Sequence, residues 1–129
     1  MRTADDLVAD ARERIREVSA VHLTDPTRIS PLLIDVREPS EFLEGHIPGS
    51  INLPRGLLEF KIHSHLAPAD GSAGKLTSSA TTPMLVYCQT GGRAALAADS
   101  LQQLGFREVR SLAGGFAAWK EAGLPVSVD

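Results

Sequence analysis

Two unbroken apolar runs, LLIDV (Leu32 to Val36) and MLVY (Met84 to Tyr87), constrain the fold more than anything else in this chain. Neither alternates polar with apolar residues, so neither suits a strand with one wet face. A strand covered on both sides buries such a run completely. Strands of that kind belong to parallel sheets sandwiched between helices, and helical patterns do lie between the runs, at Pro39 to Glu44 and Arg55 to Ile62, and after the second, at Ala94 to Leu104. Ser50 to Leu53 reads as a brief strand stopped by Pro54. Val109 to Leu112 reads as a further strand, and Gly114 to Ala122 as a last helix ended by Gly123 and Pro125. The expected fold class is α/β, a three-layer sandwich around a central, mostly parallel sheet.

The ends of the pattern are less regular. Thr3, with Asp5 and Asp6 behind it, marks a helix start, and Ala4, Leu7, Val8, Ala11, Ile15 and Val18 follow at helical spacing. The reading is an amphipathic helix over residues 1–20, followed by the main domain over 21–129, the whole forming one compact unit. Val21 to Thr24 is expected as a short edge strand closed by Asp25 and Pro26. His63 to Pro83, rich in Ser, Thr, Ala, Gly and Pro, is expected as a long surface excursion.

Composition narrows the partners. A net charge of −3 offers no basic surface for nucleic acid or an anionic membrane. The charged N-terminus lacks the apolar core of a secretion signal, and no run of about 18 apolar residues is present for a membrane span. The expected compartment is the cytoplasm. His63 and His65 have no cysteine or carboxylate cluster beside them, so no metal site is expected, and no cofactor.

The single cysteine, Cys88, cannot form an internal disulfide. Taken alone it reads equally well as a small buried hydrophobe. Its setting favours chemistry, because it falls at the carboxyl end of a parallel strand immediately before a helix, where ligands bind in such sheets. Backbone N–H groups of Gln89 to Arg93 and of the first helical turn lack helical partners and are free to converge on the sulfur. Gly91 and Gly92 permit the tight bend, and Arg93 is expected to add a fixed cation. These effects favour a nucleophilic thiolate.

Three stretches then point to a family. LLIDVREPSEFLEGHIPGSINLP (Leu32 to Pro54), VYCQTGGRAALAA (Val86 to Ala98) and SLAGGFAAWKEAGLPV (Ser111 to Val126) occur in one order. The sequence resembles the single-domain rhodanese sulfurtransferases over about Leu32 to Val126. The resemblance implies that Cys88 takes a sulfane sulfur from a donor such as thiosulfate, or from a protein or small-molecule persulfide. The sulfur is then held as a persulfide and passed to cyanide or a thiol. By the same resemblance Cys88 and Arg93 are catalytic, Gln89, Thr90, Gly91 and Gly92 form the substrate-binding loop, and Asp35, Arg37 and His46 form the framework. His46 is weighed as structural, and Phe116 and Trp119 as core.

The chain departs from the family at Gln89, where arginine is frequent, and at Ala94, where a hydroxyl is frequent; both weaken the pull on a dianionic donor. Two alternatives stand beside the enzyme. One is a non-catalytic sulfur relay or interaction module. The other is a phosphatase or arsenate reductase-like activity, against which stand the four residues between Cys88 and Arg93, one fewer than in the related phosphatases, and Tyr87 in place of their histidine.

Overall fold

The protein is described here by a computed structural model, which covers residues 1–24, 31–66 and 79–129. The two apolar runs form its inner strands. Leu32–Asp35 (β2) and Met84–Tyr87 (β4) lie side by side in parallel, with Leu32 opposite Met84 and Asp35 opposite Tyr87. The other strands are Arg16–Val18 (β1), Ile51–Asn52 (β3) and Val109–Leu112 (β5), and the five-stranded sheet runs β1-β5-β4-β2-β3 with every pairing parallel.

Because side chains alternate along a strand, β4 feeds two cores. Met84, Val86 and Cys88 face one core with Ile34, Leu58, Ile62, Ala94, Ala97, Ala98 and Leu101. Leu85 and Tyr87 face the other, with Ile47, Leu112, Phe116 and Trp119. Among the described residues the α-helices are α1 (Ala4–Arg12), α2 (Pro39–Glu44), α3 (Leu58–Leu66), α4 (Gly92–Gln103) and α5 (Gly115–Glu121). The result is the three-layer α/β sandwich expected from the sequence. The alanines of α4 are fully buried, so the helix that follows Cys88 packs closely on the sheet.

Three expectations change. The first helix stops at Arg12, and Val18 lies in a strand instead of on a helix face, paired with Leu112 of β5. Hydrogen bonding along an open sheet edge overrides the helical spacing there. Val21 to Thr24 is not the edge strand; it belongs to a 3-10 helix over Ala20–Thr24, and β1 takes the edge. The third helix starts later and ends later than its apolar spacing suggests, because the Arg55 amide is taken by the Val36 carbonyl (2.9 Å) and that of Leu57 by the Pro54 carbonyl (2.8 Å). It thereby absorbs His63 to Leu66 from the expected excursion. Of the rest, Ser79–Thr81 forms a 3-10 turn, and residues 67–78, like Asp25 and Pro26, lie outside the described residues.

Candidate active site

Cys88 follows the last residue of β4, and its chain turns back within three residues. The turn brings the Gly91 N–H to 3.0 Å from Sγ, and the Ala94 N–H, in the first turn of α4, to 3.4 Å. Gly91 has φ of 123°, a conformation that L side chains rarely adopt. Sulfur is thus buried (1% residue exposure) but faces amide donors. Both amides and the α4 N-terminus favour negative charge on it.

The carbonyls of the same loop point elsewhere. Cys88 O accepts from the Phe116 N–H (2.8 Å) and Gln89 O from the Ala117 N–H (3.0 Å), both in α5. This approach leaves no room at Gly115: a Cβ there would lie 2.5 Å from Cys88 O and 2.6 Å from Gln89 O, and φ is +62°. Gly115 was not singled out by sequence, although the paired glycines that open α5 are its trace.

Beside the loop, Asp35 and Arg37 at the end of β2 form a buried ion pair. Arg37 Nη2 lies 2.8 Å from Asp35 Oδ2, with Nε 3.1 Å from both carboxylate oxygens. Arg37 continues to Gly45 O (2.7 Å) and, through Nη1, to Gln89 Oε1 (3.2 Å), which joins the frame to the sulfur loop. Burial alone would lower the Arg37 pKa, but the hydrogen bonds and charge of Asp35 outweigh it and leave it raised. Asn52, unremarked in the sequence, donates Nδ2 to Asp35 O (3.0 Å) and Arg37 O (2.9 Å).

Arg93, expected as a fixed cation, has its charge matched in the structure. Its guanidinium is held by both oxygens of Glu41 on α2, at 2.8 and 3.2 Å. The Glu41 hydrogen bond raises the Arg93 pKa, with a smaller Coulomb contribution from Cys88, and the same bond lowers that of Glu41. The pairing ties α2 to α4 across the mouth of the site. Glu41 carries no sequence signal beyond its place in the first turn of a helix.

Thr90 is exposed, Gln89 and Gly92 are half-buried and Gly91 is buried. His46 makes no contact with the sulfur; it donates Nδ1–H to Phe42 O (2.8 Å), stacks on the Phe42 ring (3.7 Å, 5°) and exchanges backbone hydrogen bonds with Ser127. Trp119 is buried and donates Nε1–H to Pro125 O (2.6 Å). A cavity of about 300 Å³ opens next to the loop, lined by Arg37, Glu41, Gly45, Gln89, Phe116 and Lys120 among others. Among the described residues no cluster of metal-ligating side chains occurs and no helix is long and apolar enough to cross a membrane.

A family model for the Rhodanese-like domain matches residues 16–122. The chain belongs to the rhodanese-like domain family. Among curated relatives, this rhodanese-like chain is 36% identical over 104 residues to thiosulfate sulfurtransferase 16, chloroplastic, of Arabidopsis thaliana, covering 71% of this chain and 76% of that one. It is 36% identical over 89 residues to the thiosulfate sulfurtransferase GlpE of Ectopseudomonas mendocina, covering 69% and 70%. Among solved structures, a rhodanese-related protein of Thermoplasma volcanium superposes with a TM-score of 0.70 at 30% identity, over 88% of this chain and 99% of that one. A Rhodopseudomonas palustris protein of unknown function, called a "Possible Tyrosine Phosphatase", superposes with a TM-score of 0.79 at 29% identity over 98% and 96%. Family and relatives together support sulfurtransferase activity in the broad sense.

Proposed function

We propose that the protein transfers sulfane sulfur through a persulfide on Cys88, with thiosulfate or a persulfide as donor and a thiol or cyanide as acceptor. The observation that carries this reading is the pair of amides on Sγ, at 3.0 and 3.4 Å. In the first half-reaction the Cys88 thiolate attacks the outer sulfur of thiosulfate. A new S–S bond forms, the donor's own S–S bond breaks, and sulfite leaves with the electron pair. In the second, the acceptor anion attacks the terminal sulfur and Cys88 departs as thiolate, so no oxidant or reductant is consumed. The anion persists through both halves, and preorganised amide donors stabilise it without reorganising.

Asp35, Arg37 and Asn52 act as the frame, Gln89 to Gly92 as the cradle, and the Glu41–Arg93 pair as the clasp holding α2 against the loop. His46 has no proton to move in this scheme, and its role is to anchor the end of α2. The phosphatase reading is disfavoured by the same loop: only four residues separate Cys88 from Arg93, the chain folds back so that the Gly91 and Ala94 amides both meet the sulfur, and Arg93 is engaged by the Glu41 carboxylate. The protein is read as acting in the cytoplasm, with a protein donor or acceptor as its natural partner where thiosulfate is poor.

The test is thiocyanate production from thiosulfate and cyanide by the parent and by Cys88→Ser. A fall of at least about 10³-fold is expected, as for loss of a covalent nucleophile. Equal activity in the two proteins would refute the proposal. Incubation with a cysteine desulfurase, read as a one-sulfur mass gain on Cys88, separates a relay from a thiosulfate enzyme: loading without thiosulfate turnover identifies a relay.

A further inference from the structure

We infer that Arg12, on the N-terminal helix and outside the family match, is the cation that sets the anion preference of the Cys88 loop. The inference rests on Cys88 being the sulfur-accepting group.

The other two arginines of the site have their charge matched. Arg37 is paired with Asp35 and Arg93 with Glu41, each through hydrogen bonds near 3 Å. Gln89 brings no charge, and its amide oxygen is engaged by Arg37. Arg12 differs from both. Its Nη2 stands 3.3 Å from where a Cβ on Gly91 would be, directly against the residue whose N–H is donated to Sγ. Its one ion-pair partner among the described residues is Glu17, at 3.8 Å, and its side chain keeps 45% exposure.

The helix that carries Arg12 is fixed in place. Ala11 is fully buried, and Val8 packs 3.8 Å from the Cβ position of Gly92. Just beyond the helix, Arg14 holds Asp99 of α4 with both ends of its guanidinium, at 3.0 and 2.7 Å, and Gln102 donates to Arg14 O (2.9 Å). These contacts hold α1 against the sulfur loop. The contacts from Arg12 through Gly91 put its guanidinium within about 10 Å of Sγ, comparable to the screening length of about 10 Å at 0.1 M salt. A cation at that distance favours approach of an anionic donor to the loop, and its influence falls as salt rises.

Relative reactivity toward iodoacetate and iodoacetamide reads this directly. Both reagents are attacked at carbon by the Cys88 thiolate with loss of iodide, and they differ by one negative charge, so the fraction of thiolate cancels in the ratio of rates. Mass spectrometry of the full chain follows the reaction. Arg12→Ala is expected to lower the iodoacetate-to-iodoacetamide ratio about three- to tenfold at low salt, with the difference shrinking in 0.5 M salt. Arg12→Lys is expected to keep most of the ratio, and Glu17→Gln, which removes the opposing charge, to raise it. A merely structural brace would move none of these in opposite directions.

An unchanged ratio in Arg12→Ala, with Cys88 still reacting, overturns the inference and leaves the persulfide reading intact. A shifted ratio in a protein that never loads sulfur overturns the persulfide reading and leaves the electrostatic role. A parent chain whose Cys88 reacts with neither reagent overturns both.

Discussion

The loops that leave β2 and β4 start from neighbouring residues, Asp35 opposite Tyr87, yet they solve opposite problems. The β2 loop uses charge: Asp35 and Arg37 are almost wholly buried and satisfy one another, with carbonyls and Asn52 taking what is left. The β4 loop uses backbone: its sulfur is served by main-chain amides, and its glycines exist to let the chain turn. A charged pair neutralises itself and makes a rigid wall, whereas amides aimed at one atom stay ready for an anion that comes and goes. The difference explains why the wall needs specific side chains and the cradle chiefly needs a specific path of the chain.

Variants can break each half of that contrast. The largest stability effect is expected at the wall. Asp35→Ala leaves a buried guanidinium without its carboxylate and should cost about 3–5 kcal/mol in urea unfolding. A loss below about 1 kcal/mol would mean that the pair is dispensable. The cradle is expected to fail through shape. Gly115→Ala forces a left-handed conformation and a Cβ at 2.5 Å from Cys88 O, and should destabilise by about 2–4 kcal/mol while moving the loop. Retained thiocyanate production with a native melting temperature would show that α5 does not shape the site.

Smaller effects sharpen the comparison. Glu41→Gln loosens a half-exposed clasp and is expected to cost about 0.5–1 kcal/mol, with a larger fractional fall in turnover than in stability. Acid should act at the same place. Arg93 holds the Glu41 carboxyl below its ordinary 4.5, and Arg14 holds Asp99 below its ordinary 3.8. A carboxyl whose folded pKa is depressed adds stability above its unfolded pKa, and that contribution disappears as pH falls through the folded value. Unfolding free energy should therefore be flat from pH 7 to about 5 and decline below about 4.5, less steeply in Glu41→Gln. Identical acid limbs in the two proteins would remove the Glu41 contribution.

Legibility followed burial. The inner strands could be read because each is apolar on both faces, and α4 and α5 could be read because glycines punctuate them. Arg16–Val18 could not, since its partner β5 lies some ninety residues away and only that pairing makes a strand of a polar triplet. At the site, Cys88 stands out as a lone thiol between an apolar strand and a helix, whereas Asp35 and Arg37 are marked by the family resemblance. Glu41, Asn52 and Arg12 do not stand out, because an acid in a first helical turn, an asparagine at the end of a short strand and an arginine on a charged helix face are each ordinary until the chain folds.

The last helix gives its first free amides to Cys88 O and Gln89 O, and so holds two negative dipole ends of the loop turned from the sulfur. Which dipoles of the loop face the sulfur thus depends in part on a helix nearly thirty residues downstream. Lengthening the short connection between β5 and α5 by one residue is expected to free those carbonyls and blunt the cradle's preference for negative charge without touching the cysteine or its neighbours.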